Sequence, residues 1–197
     1  MIGVFDYGAG NLRSVANTLE EVDSVYRIIN DVEGLRTATK IILPGVGHYG
    51  QMLAALDSMG VRETLVQRIR SGVPFLGICL GLQALFESGE EAPEQRGLAL
   101  FSGTVRRFPA GVRIPQMGWN ELEIRPGSRL LKGLGPHPYV YFAHSFYAPV
   151  MEHTAATCTY AVPYTAALEA GNIFGVQFHP EKSGPLGLQV MKNFVEL

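Results

Sequence analysis

Two short segments carry residues able to act on an acyl carbon. In Gly77-Ile78-Cys79-Leu80-Gly81 a cysteine stands between two glycines, where the apolar run Phe75-Leu76-Gly77-Ile78 gives way to a helical pattern through Leu82, Leu85 and Phe86. This is the G-x-C-x-G counterpart of a nucleophile elbow. A sharp strand-to-helix turn strains the backbone of the nucleophile, and the flanking glycines remove side chains that would strike the neighbouring elements. The sulfur is thereby pushed out at the carboxyl edge of a sheet and at a helix N-terminus, which favours thiolate over thiol. A lone cysteine in an apolar run is more commonly a packing residue, so Cys79 decides nothing by itself. The second segment is Gly175-Val176-Gln177-Phe178-His179-Pro180-Glu181-Lys182. Residues two apart on an extended strand face the same side, so His179 and Glu181 can lie together, with Pro180 ending the ladder. Singly, His179 reads equally as a hydrogen-bonded buried histidine and Glu181 as a solvated carboxylate at a helix start. Jointly with the elbow they follow the chain order nucleophile, base, carboxylate that elbow hydrolases use.

A third piece is Pro44-Gly45-Val46-Gly47, after the apolar run Ile41-Ile42-Leu43. Backbone N–H groups near Val46 and Gly47, with that of Leu80 just after the nucleophile, can point at a developing oxyanion. Glycine is routine in strand-to-helix loops, and phosphate binding is the rival reading here and at Asp6-Tyr7-Gly8-Ala9-Gly10-Asn11. Neither segment has the P-loop's G-K-[ST] ending or the G-x-G-x-x-G spacing.

These residues must be held by a scaffold. In the first half Ile2-Gly3-Val4-Phe5 reads as a strand, followed by a Gly-rich turn and a helix capped by Asn11 with Leu12, Val15, Ala16 and Leu19 at helical spacing. The pattern returns with Ile41-Ile42-Leu43, a Pro44-Gly45 turn and one long helical segment through Leu53, Leu56, Leu65 and Ile69, and again around Cys79. Such alternation predicts an α/β fold with a mostly parallel central sheet flanked by helices. From Leu98 onward the segments are strand-like and closely spaced, which predicts antiparallel strands added in the C-terminal half and a closing helix through Leu186, Val190 and Phe194.

With 197 residues, 47% hydrophobic and 17% charged, the chain suits one compact domain spanning residues 1–197. A net charge of −2 and no basic run beyond Arg106-Arg107 argue against nucleic acid as a partner. Two cysteines, no N-terminal signal pattern and no apolar stretch near the roughly 20 residues of a membrane span predict a soluble protein of the reducing cytoplasm. His48, His137, His144, His153 and His179 show no paired spacing with cysteines or carboxylates that resembles a zinc site, so neither metal nor cofactor is expected.

The motifs Gly77-Ile78-Cys79-Leu80-Gly81 and Phe178-His179-Pro180-Glu181 resemble those of the triad-type, class I glutamine amidotransferases, a flavodoxin-like family, and the resemblance covers nearly the whole chain. Within that family, Asp6-Tyr7-Gly8-Ala9-Gly10-Asn11, Pro44-Gly45-Val46-Gly47 and Met117-Gly118-Trp119-Asn120 are similar to signatures of the glutaminase subunits of imidazole glycerol phosphate synthases. Two positions depart: Gln116 stands where the family often has His, and His48 where a small residue is common.

The resemblance implies a glutaminase in which His179 accepts the thiol proton, Cys79 attacks the γ-carboxamide carbon and Glu181 fixes the tautomer of the ring. Val46, Gly47 and Leu80 would supply oxyanion N–H groups. Gly45, Gly47, Gln83, Ser145 and Phe146 would hold glutamine, although Gln83 reads equally as helix surface. It further implies a separate (β/α)8-barrel cyclase partner in histidine biosynthesis, since such a barrel alone needs roughly 250 residues. Ammonia would pass directly between docked sites, across an interface anchored by Trp119 with Asn11, Asn120, Tyr141 and Lys182 as further candidates. Glutaminase activity would be low in isolation and rise when the partner binds its ligand, and a glycine-turn N–H that rotates into place is one physical route. Three rivals remain at this point: an amidotransferase subunit for another pathway, a cysteine peptidase or chaperone-like protein on a similar elbow fold, and a non-catalytic binding module of the same fold.

Overall fold

The computed structural model describes residues 1–9 and 11–197. In chain order the elements are β1 (Ile2–Phe5), α1 (Leu12–Glu21), β2 (Tyr26–Ile29), α2 (Val32–Thr37), β3 (Lys40–Gly45), α3 (Tyr49–Ser58), α4 (Arg62–Arg70), β4 (Phe75–Cys79) and α5 (Leu80–Gln83). They continue with β5 (Phe86–Gly89), β6 (Phe101–Arg107), β7 (Gln116–Glu121), β8 (Glu123–Ile124), β9 (Tyr139–His144), β10 (Phe146–Tyr147), β11 (Thr154–Tyr160), β12 (Val162–Ala170) and β13 (Ile173–Val176). A 3-10 turn at Pro180–Lys182 and α6 (Gly184–Glu196) close the chain.

The main sheet has the order β2-β1-β3-β4-β13-β12-β11-β8. Its first five strands are parallel, and β12, β11 and β8 continue it antiparallel. A strand covered on both faces reads as a continuous apolar run, because alternate residues bury on opposite sides. Ile41, Leu43 and Phe75 accordingly join a core with Leu53, Leu56, Leu65 and Ile69 of α3 and α4. Ile42, Leu76 and Ile78 face the other way, against Val15 and Leu19 of α1 and Val190 and Phe194 of α6. Since β1, β3, β4 and β13 are parallel, the segments after Phe5, Gly45, Cys79 and Val176 all leave from one edge of the sheet.

Several sequence expectations need correction. The long helix expected through residues 53–69 is two helices, broken where Gly60 adopts φ 67°. Pro44 and Gly45 form no turn but complete β3, with Gly45 paired to Cys79. The helix after Cys79 is a single turn, because the carbonyls of Ala84 and Leu85 accept from Leu98 and Leu100 and Phe86 enters β5. The later strands do not all extend the main sheet: β5, β6 and β10 form a separate sheet, and β7 and β9 form a two-stranded ribbon. Trp119, whose Pro- and Gly-marked surroundings predict a loop, therefore lies on a strand. Asn11 does precede α1, but its side chain accepts the Ser14 hydroxyl at 2.7 Å and caps no backbone N–H.

Candidate functional site

The turn at Cys79 is built by exclusion of side chains. Cys79 has φ 52° and ψ −104°, a left-handed conformation costly for any residue but glycine. A Cβ at Gly77 would sit 2.4 Å from the Gly81 carbonyl oxygen, and one at Gly81 would sit 2.0 Å from that of Leu43. A Cβ at Gly45 would meet Leu80 Cβ at 2.4 Å. Strand, elbow and adjacent strand thus touch backbone to backbone, and α5 starts directly behind the sulfur. Leu80, first in that helix, has no intrahelical acceptor for its N–H, which is left for an anion.

β13 lies beside β4 in register, Val176 opposite Ile78, so the residues beyond it reach the same edge. His179 Nδ1 donates to Glu181 Oε1 at 2.9 Å, and both side chains are buried. The other oxygen, Glu181 Oε2, is buried and has no partner among the described residues, so this carboxylate favours a positive ring. Burial pulls the His179 imidazole down, but hydrogen bonds to Cys79 and Glu181, reinforced by their charges, outweigh it and push it up to about 10. The ring is thereby poised to hold a proton at neutral pH. Two backbone tethers fix it: His179 N–H donates to the Tyr141 carbonyl at 2.9 Å, and Ser183 Oγ donates to the His179 carbonyl at 2.7 Å while accepting from Tyr141 N–H at 3.0 Å.

A cavity of about 280 Å³ is lined by Cys79 together with Val46, Gly47, Leu80, Gln83, His144, Ser145, Phe146, His179 and Lys182. Its size sits at the lower end for small-molecule pockets. Gly45 is not on its wall; it packs beneath, against Leu80. Gly47 turns with φ 94° in open space. The Val46 N–H, expected to serve an oxyanion, is engaged by the Tyr7 hydroxyl oxygen at 3.1 Å, and the same hydroxyl donates to the Val46 carbonyl at 3.1 Å. His48 caps α3, its Nδ1 accepting from Gly50 N–H. The Phe146 carbonyl is occupied as well, by His144 Nδ1–H at 2.7 Å and Gln83 Nε2–H at 2.9 Å. Burial lowers the His144 imidazole to about 4, offset in part by that Phe146 carbonyl and reinforced by the charge of His179.

Among the interface candidates, the β7–β9 register puts Met117, Trp119, Tyr139 and Tyr141 on one face of the ribbon. Met117, Trp119 and Tyr139 are exposed, Trp119 by 56%, so Trp119 is no core aromatic. The Trp119 and Tyr141 rings meet edge-on at 6.1 Å, and Lys182 Nζ lies 5.8 Å from the Tyr141 ring centre. Asn120 points to the opposite face, where its amide reaches the Thr159 carbonyl. Asn11 shares the carboxyl edge but not this cluster.

Three residues that sequence reasoning passed over belong to the site. Glu91 lines the cavity and accepts the Tyr49 N–H at 2.7 Å. Tyr7 holds Val46, and Gln177 Nε2 lies 3.5 Å from Cys79 Sγ. Gln177 and Tyr7 sit inside segments already singled out; Glu91 lies in an acidic loop without a motif, and no sequence signal marks it.

Comparison with known proteins adds an independent finding. Residues 3–197 match the family model described as glutamine amidotransferase class-I. The imidazole glycerol phosphate synthase subunit HisH of Methanothermobacter thermautotrophicus is 48% identical over 198 aligned residues, covering 100% of this chain and 98% of that protein. The HisH subunit of Deinococcus radiodurans is 46% identical, covering 97% and 91%. A solved structure of PurLQS from Thermotoga maritima has a TM-score of 0.77 and 21% identity over 99% of this chain and 97% of that one, a likeness of fold alone.

Proposed function

Because the chain belongs to the class-I glutamine amidotransferases and is similar along its whole length to HisH subunits, we propose that it is the glutaminase subunit of an imidazole glycerol phosphate synthase, serving histidine biosynthesis. Residues 1–197 act as one amidotransferase domain. The observation that carries the mechanism is a buried imidazole held by a carboxylate on one side and hydrogen-bonded to the cysteine, with Cys79 and His179 lining a cavity of about 280 Å³.

His179 accepts the proton of the Cys79 thiol, and Glu181 behind the ring favours the imidazolium that forms. The Cys79 thiolate attacks the γ-carboxamide carbon of glutamine, and the negative oxygen of the tetrahedral adduct is held by the N–H of Leu80 and one from the 46–47 turn. His179 gives its proton to the departing nitrogen, the C–N bond breaks, and ammonia leaves a γ-glutamyl thioester. Water then attacks the thioester carbon, loses a proton to His179, and the C–S bond breaks to give glutamate and the restored ion pair. Glu181 holds the ring through Nδ1 throughout. Gln83 presents its carbonyl to the substrate, and Glu91 is a carboxylate suited to the α-ammonium group. Among the described residues no helix is long and apolar enough to cross a membrane.

The relatives are named as subunits, and this chain likewise acts beside a second polypeptide. A (β/α)8-barrel cyclase receiving ammonia is the proposed partner. The exposed Met117, Trp119 and Tyr139 face supports that docking, since a contiguous apolar patch beside a pocket marks an interaction surface. Glutamate release by the full chain, alone and with a cyclase subunit carrying its ligand, tests the proposal. Cys79→Ala should abolish release, whereas a peptidase would ignore free glutamine and a binding module would show no turnover. Equal rates alone, with cyclase and with liganded cyclase would reject control by the partner.

A further inference from the structure

The amide of Gln177 is completely buried one residue beyond β13, alongside the elbow, with its own backbone N–H fixed to the Ala166 carbonyl at 2.8 Å. A buried amide must satisfy both ends, and its environment decides which end faces which neighbour. Gln83 settles the matter. Its Nε2 donates to the Phe146 carbonyl at 2.9 Å and to Gln177 Oε1 at 3.0 Å, so both of its hydrogens are spent. Turning the Gln177 amide over would set two NH2 groups against each other and aim a carbonyl oxygen at the sulfur. The oxygen of Gln177 therefore belongs to Gln83, and its N–H belongs to Cys79 Sγ, 3.5 Å away.

We infer that Gln177 is a second catalytic partner of the nucleophile: it donates to the Cys79 sulfur while its carbonyl holds Gln83 in the orientation that receives glutamine. The inference rests on the glutaminase reading above. A thiolate formed at a residue only 6% exposed needs donors beyond one imidazole. A neutral amide supplies one without bringing a charge that would compete with His179 for Glu181 or lower the ring's hold on its proton. The same arrangement links recognition to reactivity. Glutamine bound at the Gln83 carbonyl polarises an amide whose N–H already contacts Gln177, and the bonds in such a chain strengthen one another.

Two substitutions of similar shape separate the functions. Gln177→Glu keeps an oxygen for Gln83 and loses the donor to sulfur; Gln177→Met loses both. In the full chain with liganded cyclase, Gln177→Glu should lower kcat by at least about 10- to 100-fold with KM within a few-fold of wild type, because it removes one hydrogen bond to a charged group and sets a carboxylate against the thiolate. Gln177→Met should lower kcat comparably and raise KM as well. Alkylation of Cys79 by iodoacetamide, which needs no glutamine recognition, should have its acid edge moved upward by about one pH unit in Gln177→Met and by more in Gln177→Glu, where a like charge adds to the lost donor. Cys158, 1% exposed, is the internal control and must stay unlabelled, so loosening of the fold is seen separately. Should Gln177→Met itself fail to fold, Gln177→Leu, likewise neutral and without a donor, carries the test beside Gln177→Glu. Unchanged kcat and an unchanged alkylation edge in a variant that protects Cys158 overturn the inference. A wild-type complex that releases no glutamate, yet shows the alkylation shift on substitution, sinks the glutaminase reading and leaves the sulfur contact standing.

Discussion

The two backbone turns that face the sulfur are held in opposite ways. At the elbow, three missing side chains let Gly77, Gly81 and Gly45 lie against neighbouring backbone, so the nucleophile is wedged by contacts no rotation can relieve. At the 46–47 turn, Gly47 has φ 94° and nothing near the place a Cβ would occupy, and the Val46 backbone is held by one tyrosine hydroxyl. A sterically locked turn has one state; a turn held by a clasp has the state with the clasp closed and whatever lies beyond it. On the proposed glutaminase reading, the nucleophile is therefore fixed and the anion cradle adjustable, which is where regulation can act without disturbing the sulfur.

Substitution by alanine gives the sharpest contrast. Gly81→Ala puts a methyl 2.0 Å from a backbone oxygen that cannot move aside, so it should exceed the usual overpacking range, losing about 3 kcal/mol or more and essentially all glutamate release. Gly47→Ala meets no atom and incurs only the left-handed strain of about 1–2 kcal/mol. Thermal melts of the two should differ by several degrees, since about 2–4 °C corresponds to each kcal/mol at this chain length. Equal melting temperatures would mean that the elbow relaxes and is no more locked than the other turn.

Protonation sharpens the comparison, because two histidines beside the locked elbow are shifted in opposite directions. His179, drawn down by burial but held up near 10 by Cys79 and Glu181, binds a proton more tightly folded than unfolded. Its stabilisation is complete below the ordinary value near 6.5 and is lost as pH rises through about 10. His144, lowered by burial to about 4, stabilises the fold above 6.5, and that contribution is lost as pH falls through about 4. Unfolding free energy should thus fall on both sides of neutrality. His144→Gln should flatten the acid side alone, and His179→Asn the alkaline side alone. Glutamate release should decline on the alkaline side near pH 10, not near 6.5, as the imidazolium disappears.

The same contrast explains how much was legible in the sequence. The elbow was readable because its sterics act among residues 77–81, and the His-Pro-Glu step because a strand's two-residue period is local. Parallel strands read as apolar runs for the same reason. Strand β9 is legible in Tyr139-Val140-Tyr141-Phe142, whereas its partner β7 reads as loop because Gly118 and nearby prolines outweigh a pairing with residues 18 to 28 positions on. The helix after Cys79 was extended too far because its end is set by backbone bonds from Leu98 and Leu100. Tyr7, Glu91 and Gln177 stayed hidden for a like reason. Their bonds to Val46, Tyr49 and Cys79 span 39, 42 and 98 residues, and no local pattern encodes such partners.

The smallest expected effect bears most directly on the adjustable turn. Tyr7 is 7% exposed, and burial raises its hydroxyl, so it stays protonated and clasps Val46 as a neutral donor and acceptor. Tyr7→Phe keeps the ring and removes only the oxygen. It should cost about 1 kcal/mol of stability for the bonds removed. It also frees the Val46 N–H to turn toward the cavity, so glutamate release by the chain without partner should rise several-fold. Release with liganded cyclase should stay near wild type, so the activation ratio shrinks by the same factor. A kinetic comparison of wild type and Tyr7→Phe, each alone and in complex, reads this directly. Lower partner-free activity in Tyr7→Phe would mean that the clasp holds the turn in its working form, and the cradle would then be as fixed as the elbow.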